Sequence, residues 1–310
     1  VTSATAGYEA SGDRLFYFNT HVRGAEPRTF EVLAHDWARD ASSVFCRARR
    51  LKQADRATFQ VVNTLYAKDA SRAYAVSGEI AGADAASFEA FGTGEWELDW
   101  GPPPRHFHQG YAADARSVWH HLATIGKAKR LPKVDRATFR WLKWGFARDG
   151  EHAYSEGQRL QRCDARSFLQ LSPYFSRDDT HVFFLSREVL GADPASFVPM
   201  GRGHTARDER HVYDRFQIID GADPTTYVPL GEGDMVGRDD AHVFCQGKIV
   251  PGVDHATFEH VRGTWFRDAT IIYKWTDPIA QIDASTFRAT SDLEGEDRNG
   301  RWRGSFRLKD

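Results

Sequence analysis

The sequence predicts an all-β protein, a tandem array of about nine units of roughly 29 residues, each a β-hairpin plus a helical turn. Three observations carry this. An acidic residue, two further residues, Ser or Thr, and an aromatic recur as one phrase nine times; an aspartate stands 19 residues before most of those aromatics; and a second aromatic follows each such aspartate by five. The expected arrangement is an open or curved β-solenoid. A ring of small propeller-like blades is the alternative, although a four-stranded blade usually takes about 40 to 45 residues.

The first phrase reads Glu26 to Phe30, Asp55 to Phe59, Asp84 to Phe88, Asp135 to Phe139, Asp164 to Phe168, Asp193 to Phe197, Asp223 to Tyr227, Asp254 to Phe258 and Asp283 to Phe287. By subtraction, successive aromatics are 29, 29, 51, 29, 29, 30, 31 and 29 residues apart, so one insertion before the fourth copy explains nearly all the irregularity. The aspartates at an offset of 19 are Asp40, Asp69, Asp149, Asp178, Asp208, Asp239 and Asp268; Asp114 lies 25 before Phe139, and the first copy is degenerate, with Ser11 in place and Asp13 nearby. The aromatics five residues on are Phe45, Tyr74, Trp119, Tyr154, Phe183, Tyr213, Phe244 and Tyr273.

Each element has a local reason. Three residues before the turn aspartate stands Trp37, Tyr66, Tyr111, Phe146, Phe175, Thr205, Val236 or Trp265, all suited to a strand. The aspartate accepts from backbone amides two residues on and closes a turn, and the chain returns through segments such as Val182-Phe183-Phe184. Ser77-Gly78 or Gln246-Gly247 then reverses it into a third short strand such as Lys248-Ile249-Val250. In the following phrase the acidic residue fits an N-cap on one helical turn, with the aromatic dropped into the core. Pro194 and Pro224 directly follow their aspartates, where a first helical position tolerates proline.

The units fall near 8–33, 37–62, 66–91, 111–142, 146–171, 175–200, 205–230, 236–261 and 265–289, within a repeat region of 1–289. Residues 92–110 are the insertion, and 290–310, with Trp302 and Phe306, depart from the pattern as a C-terminal cap. At 41% hydrophobic and 27% charged with a formal net charge of -2, the composition is neither that of a disordered chain nor that of a helical membrane protein. The chain begins at Val1, so a leader removed upstream is compatible with it, and both cytoplasm and periplasm stay open. Cys46, Cys163 and Cys245 are too few and scattered for a disulfide framework or structural zinc site, and are expected as reduced, buried thiols.

These phrases are similar to those of the bacterial DKNYY family, in stretches such as Arg177 to Phe184 and Lys68 to Tyr74, each followed by a Gly-Ala-Asp segment at Gly191 to Asp193 or Gly82 to Asp84. The resemblance covers residues 8–289, although no copy spells the naming pentapeptide. It implies a bacterial protein, and such repeats resemble those of some immunity proteins that neutralise secreted toxins. It carries over no catalytic residues.

Functional residues are therefore sought where repetition does not explain them. The turn aspartates have structural work already, and a calcium loop needs several oxygen ligands within about 12 residues. His152, His181, His211 and His242 share one repeat position, which points to turn hydrogen bonding rather than metal. A basic residue precedes the turn aspartate at Arg39, Lys68, Arg148, Arg177, Arg207, Arg238 and Arg267, but the adjacent carboxylate cancels its field, and no domain-wide basic excess points to nucleic acid. The insertion and its surroundings combine aromatics, arginine and stiff proline backbone, so Trp96, Trp100, Arg105, Phe107, Trp141 and Trp144 are the expected partner-binding residues. A covering role for this loop is the competing structural explanation. The expectation is a non-catalytic protein-binding scaffold without metal or cofactor, its partner another protein such as a cognate toxin. The alternative is a ligand- or metal-binding protein or enzyme with a site near 92–121, using His106, His108, His120 and His121.

Overall fold

The structure, a computed structural model, describes residues 7–98, 105–122, 126–201, 203–231 and 235–308, and of 95–98 and 105–108 it describes the backbone alone. Two compact units divide the chain, one holding the described residues up to Leu98 and Arg105–Arg166, the other running from Ser167 onward. Both are built from one module, and the described residues form ten small antiparallel sheets, none closed into a barrel.

The module is clearest at 60–79. Strands Gln60–Val61, Tyr66–Lys68, Ala73–Ala75 and Gly78–Glu79 pair in chain order as a meander. The hairpin aligns Tyr66 with Ala75 and Lys68 with Ala73 around the aspartate turn. A fourth strand therefore joins the three expected: the two residues after the phrase's aromatic add an edge, as Arg140–Trp141, Leu169–Gln170 and Val198–Pro199 also do. The capped phrase is a single tight turn, and among the described residues it forms 3-10 helix only at Pro27–Thr29. The stretch 290–308 does not break the pattern. Arg288–Ala289, Glu294–Asp297, Gly300–Arg303 and Phe306–Arg307 form a last four-stranded sheet.

The turn aspartate is the centre of each module. Asp149 is buried, and its Oδ1 accepts the amides of Glu151 at 2.8 Å and His152 at 2.6 Å. Its Oδ2 accepts the Tyr154 hydroxyl at 2.8 Å and the amide of Asp135, the cap of the preceding phrase, at 3.1 Å. The same backward bond runs from Glu26 to Asp40, Asp55 to Asp69, Asp193 to Asp208 and Asp223 to Asp239. The Ser or Thr of the phrase is needed twice: Thr138 donates to Asp135 at 2.6 Å and accepts the amide of Gly150 at 2.8 Å.

The core forms where large and small residues oppose. Ala38 faces Phe45, Ala67 faces Tyr74, Ala147 faces Tyr154, Ala206 faces Tyr213 and Gly237 faces Phe244 across their hairpins. The small member leaves room for the phrase's aromatic, so an added Cβ at Gly237 would collide with the Tyr227 hydroxyl. The strand-opening aromatics bury fully, and in the first unit they reach the next turn: Trp37 Nε1 donates to the Thr64 carbonyl, the Tyr66 hydroxyl to Gly110 and the Tyr111 hydroxyl to Gly145. At Gln246-Gly247, φ values of 49° and 76° give the two-residue hairpin turn whose twist matches the strands. None of the three cysteines is in a disulfide; Cys46 is buried opposite Trp37, whereas Cys245, at the same strand position opposite the smaller Val236, and Cys163, in the turn before Asp164, are half-buried.

Candidate functional site

The insertion lengthens one hairpin. Strand Arg105–Ala113 spans nine residues where Tyr66–Lys68 and Phe146–Arg148 span three. Its inner part pairs with Glu89–Ala90 and Val118–Leu122 as the module requires. Its outer part pairs with Glu95–Leu98, aligning Trp96 with Phe107 and Glu97 with His106. Glu95–Leu98 alternates polar and apolar residues, the period of a β-strand. The backward bond survives the insertion, from the Asp84 amide to Asp114 Oδ2 at 2.9 Å.

At the base of this ribbon, Phe91, Gly92, Thr93, Gly94 and Gln109 meet Trp141, Lys143, Trp144 and Gly145 of the next sheet around a cleft of about 240 Å³. Glycine is required at two of these places. Gly92 has φ +69°, and a Cβ there would lie 2.9 Å from the Trp141 ring; Gly145 has φ +80° and would crowd Gln109 Nε2 at 3.1 Å. Trp144 itself has φ +53°, a left-handed conformation that costs a bulky residue about 1–3 kcal/mol.

Polar groups without partners gather on this hairpin. Gln109 is 4% exposed, its Nε2 lies 3.4 Å from Glu156 Oε1, and its Oε1 has no hydrogen-bond partner among the described residues. His120 and His121 are also buried, with Nε2 of the first and both ring nitrogens of the second unpaired. Burial pushes each imidazole down to about 4, with the neighbouring His121 adding to the effect at His120 and Arg47 at His121, so both are neutral near pH 7. Glu156 also lines a second hollow of about 290 Å³ with His120, Lys127 and Lys129. Among the described residues no three His, Cys, Asp or Glu side chains converge to hold a metal ion.

Of the six residues expected to bind a partner, Trp141 and Trp144 are brought together on the cleft, and Trp141 is 38% exposed. Trp96, Arg105 and Phe107 lie on the ribbon strands, their side chains outside the described residues, as are the side chains of His106 and His108; Trp100 lies wholly outside them. Sequence reasoning missed Gln109. Its signal, a polar side chain two residues before the strand-opening aromatic Tyr111, was hidden because the insertion breaks the repeat count.

The repeat-locked candidates have structural partners. His152, His181, His211 and His242 each donate a backbone amide to their own turn aspartate at 2.6–2.7 Å. The basic residue before the turn is also engaged: Lys68 donates to the Ala85 and Phe88 carbonyls, Arg148 to Ala165 and Arg238 to His255, while Arg39 and Arg267 pair with Glu31 and Glu259. These cations neutralise carbonyl ends and carboxylates within the array.

Repeated hairpins closed by a buried aspartate, with one hairpin elongated into a ribbon beside a cleft, define a tandem β-repeat protein. Sequence comparison then names the group: the DKNYY family profile matches residues 8–187 and 146–275, so the chain belongs to the DKNYY family. No curated protein and no solved structure matches it. No helix among the described residues is long and apolar enough to cross a membrane, which leaves strand-built spans unaddressed.

Proposed function

We propose that the protein is a non-catalytic binding scaffold of bacterial origin whose ribbon and adjoining cleft engage another protein, and that the partner is a toxin which it neutralises. The observation that supports this reading is the ribbon, because Glu95–Leu98 pairs with Arg105–Ala113 on one side only among the described residues. An edge strand presents unpaired backbone groups to which a partner strand can add, and the Trp141–Trp144 cleft beside it supplies an aromatic anchor. The repeat positions contribute rigidity, since their aspartates, the backbone amides at the histidine positions and the basic residues are bonded within the array.

The test is co-expression with the product of a neighbouring toxin gene, using the full chain and a variant in which residues 95–108 are replaced by two glycines. Protection by the full chain, lost in the variant while the far-UV circular dichroism is retained, is the expected result. Equal killing with and without the full chain would defeat the immunity reading, and protection by the shortened chain would defeat the ribbon's part in it.

A further inference from the structure

Beside strand Val118–Leu122 a hollow of about 500 Å³ is lined by three cations, Arg116, Arg130 and Lys133, and by Ser117; no carboxylate lines it. The repeat explains how it opens. Three residues after the turn aspartate, other modules carry a large side chain: Arg72 reaches Glu79 at 3.7 Å, and His152, His181 and His211 lie beside the aromatic two residues on. Here that position is Ser117, and Arg130 stands where Glu79 does, each paired with the aromatic of its hairpin. Two positions that form an ion pair in one module thus present a hydroxyl and a cation to one space. Ser117 is 8% exposed; its amide donates to Asp114 at 2.7 Å, while its hydroxyl has no partner among the described residues and is not sealed from solvent. None of the three cations lies within ion-pair distance of a carboxylate among the described residues. The Asp84 carboxyl is held low first by the Ser87 hydroxyl and the Ala86 amide, with Arg116 adding to them, and Asp84 does not line the hollow. Lys133 stands two residues before the cap, where Gly82, Gly191, Gly221 and Gly252 have positive φ, and it holds φ +54° although a side chain disfavours that conformation.

We propose that this hollow binds the phosphate group of a small phosphomonoester, with Arg116, Arg130 and Lys133 around its terminal oxygens and the Ser117 hydroxyl donating to one of them. A phosphomonoester carries a charge of about −1.5 to −2 near pH 7 and three strong acceptor oxygens, which three cations and a hydroxyl can satisfy together. A carboxylate brings a single charge and two oxygens, and leaves part of this donor set unused. Guanidinium groups also match phosphate oxygens in pairs. The rest of the wall is aliphatic, including Val118 and Pro132, and gives the organic part of the ester apolar contact. The volume falls in the range of roughly 300–1,000 Å³ usual for small-molecule sites. The assignment does not depend on the protein-binding reading, because this hollow shares no lining residue with the Trp141–Trp144 cleft.

Calorimetric titration of the full chain with phenyl phosphate, benzoate and oligothymidylate tests this. The expected result is that phenyl phosphate binds about tenfold or more tightly than benzoate, the difference that one additional charge-assisted hydrogen bond supplies. Arg130→Gln should weaken phenyl phosphate about tenfold and Ser117→Ala about threefold, both with unchanged far-UV circular dichroism. Arg159→Gln, at the same repeat position as Arg130 in the next module, should leave the affinity as it is. Equal affinity for phenyl phosphate and benzoate, or no binding of the phosphate, overturns the proposal on the native chain alone, whether or not the variants fold. An equal loss in Arg159→Gln overturns it by tracing the binding to general surface charge. Tighter binding of oligothymidylate than of phenyl phosphate makes the hollow part of a nucleic-acid groove and overturns the small-ligand assignment.

Discussion

Replacing Asp149 with asparagine removes one of its two oxygens and spares the other. Oδ1 accepts the Glu151 and His152 amides, and asparagine keeps that oxygen; Oδ2 accepts the Tyr154 hydroxyl and the Asp135 amide, and an NH₂ group there meets two donors with a third. The site is 4% exposed, so water does not substitute freely. Hydrogen bonds to a charged acceptor contribute about 1.5–3 kcal/mol each, so Asp149→Asn should lose roughly 3 kcal/mol, Asp149→Ala about 4–5 kcal/mol, and Tyr154→Phe only about 1 kcal/mol. Urea unfolding measures the totals, and amide hydrogen exchange at Asp135, Glu151 and His152 locates them. In Asp149→Asn the Asp135 amide should lose protection first, because it loses its acceptor while the turn amides keep theirs. An Asp149→Asn protein within about 0.5 kcal/mol of the native one, with Asp135 still protected, would refute the reasoning.

Stability should fall on acidification in two windows. His120 and His121, held down to about 4 when folded, titrate near 6.5 when unfolded, so the unfolded chain binds more protons between those values and stability drops as pH falls through them. The loss is at most roughly 3 kcal/mol per histidine, and His121→Leu should flatten that slope in a thermal-denaturation series. Below about 4 a second loss begins. Burial alone would raise Asp69, Asp149, Asp208 and Asp268, but their hydrogen bonds from hydroxyls and amides outweigh it and hold them below the usual carboxylate range, so protonating them costs stability. Gly237→Ala should destabilise by about 1–3 kcal/mol in urea, since its Cβ collides with the Tyr227 hydroxyl. Cys46, buried and with burial foremost and Asp36 next pushing its thiol up to about 12, should resist alkylation until the chain unfolds, while Cys163 and Cys245 react in the native state; mass spectrometry of peptides distinguishes them.

The columns that repetition enforces were legible in the sequence because each residue has one local task. An aspartate that must close a turn and accept a tyrosine five residues on cannot drift in spacing, and Asp69–Tyr74, Asp149–Tyr154 and Asp208–Tyr213 keep it. The fourth strand was not legible. Two residues such as Gln60–Val61 give no alternation to detect, and Val198–Pro199 includes a residue that ordinarily argues against a strand. The last sheet was hidden for a related reason: Asp297 and Trp302 keep the spacing of five, and Trp302 Nε1 donates to Asp297 at 2.9 Å, but the strand opens on Glu294 instead of an aromatic or β-branched residue. At the cleft, Trp141 and Trp144 stood out by residue type. Gln109 did not, because its importance lies in a missing bond that only burial makes costly.

The backward bond from each cap to the following turn aspartate closes a loop of 14 residues at Glu26–Asp40, Asp55–Asp69, Asp135–Asp149, Asp254–Asp268 and Asp283–Asp297. It closes 15 at Asp193–Asp208, 16 at Asp223–Asp239 and 30 at Asp84–Asp114. Doubling a flexible loop costs only about 0.6 kcal/mol in closure entropy, less than one hydrogen bond to a charged acceptor returns. Every joint is thereby a port where foreign sequence can enter with the flanking modules still locked. Chains of this design can diversify by acquiring a new ribbon at one joint and leaving the repeating columns untouched, and an engineer could graft a binding loop into any of the shorter joints by the same arithmetic.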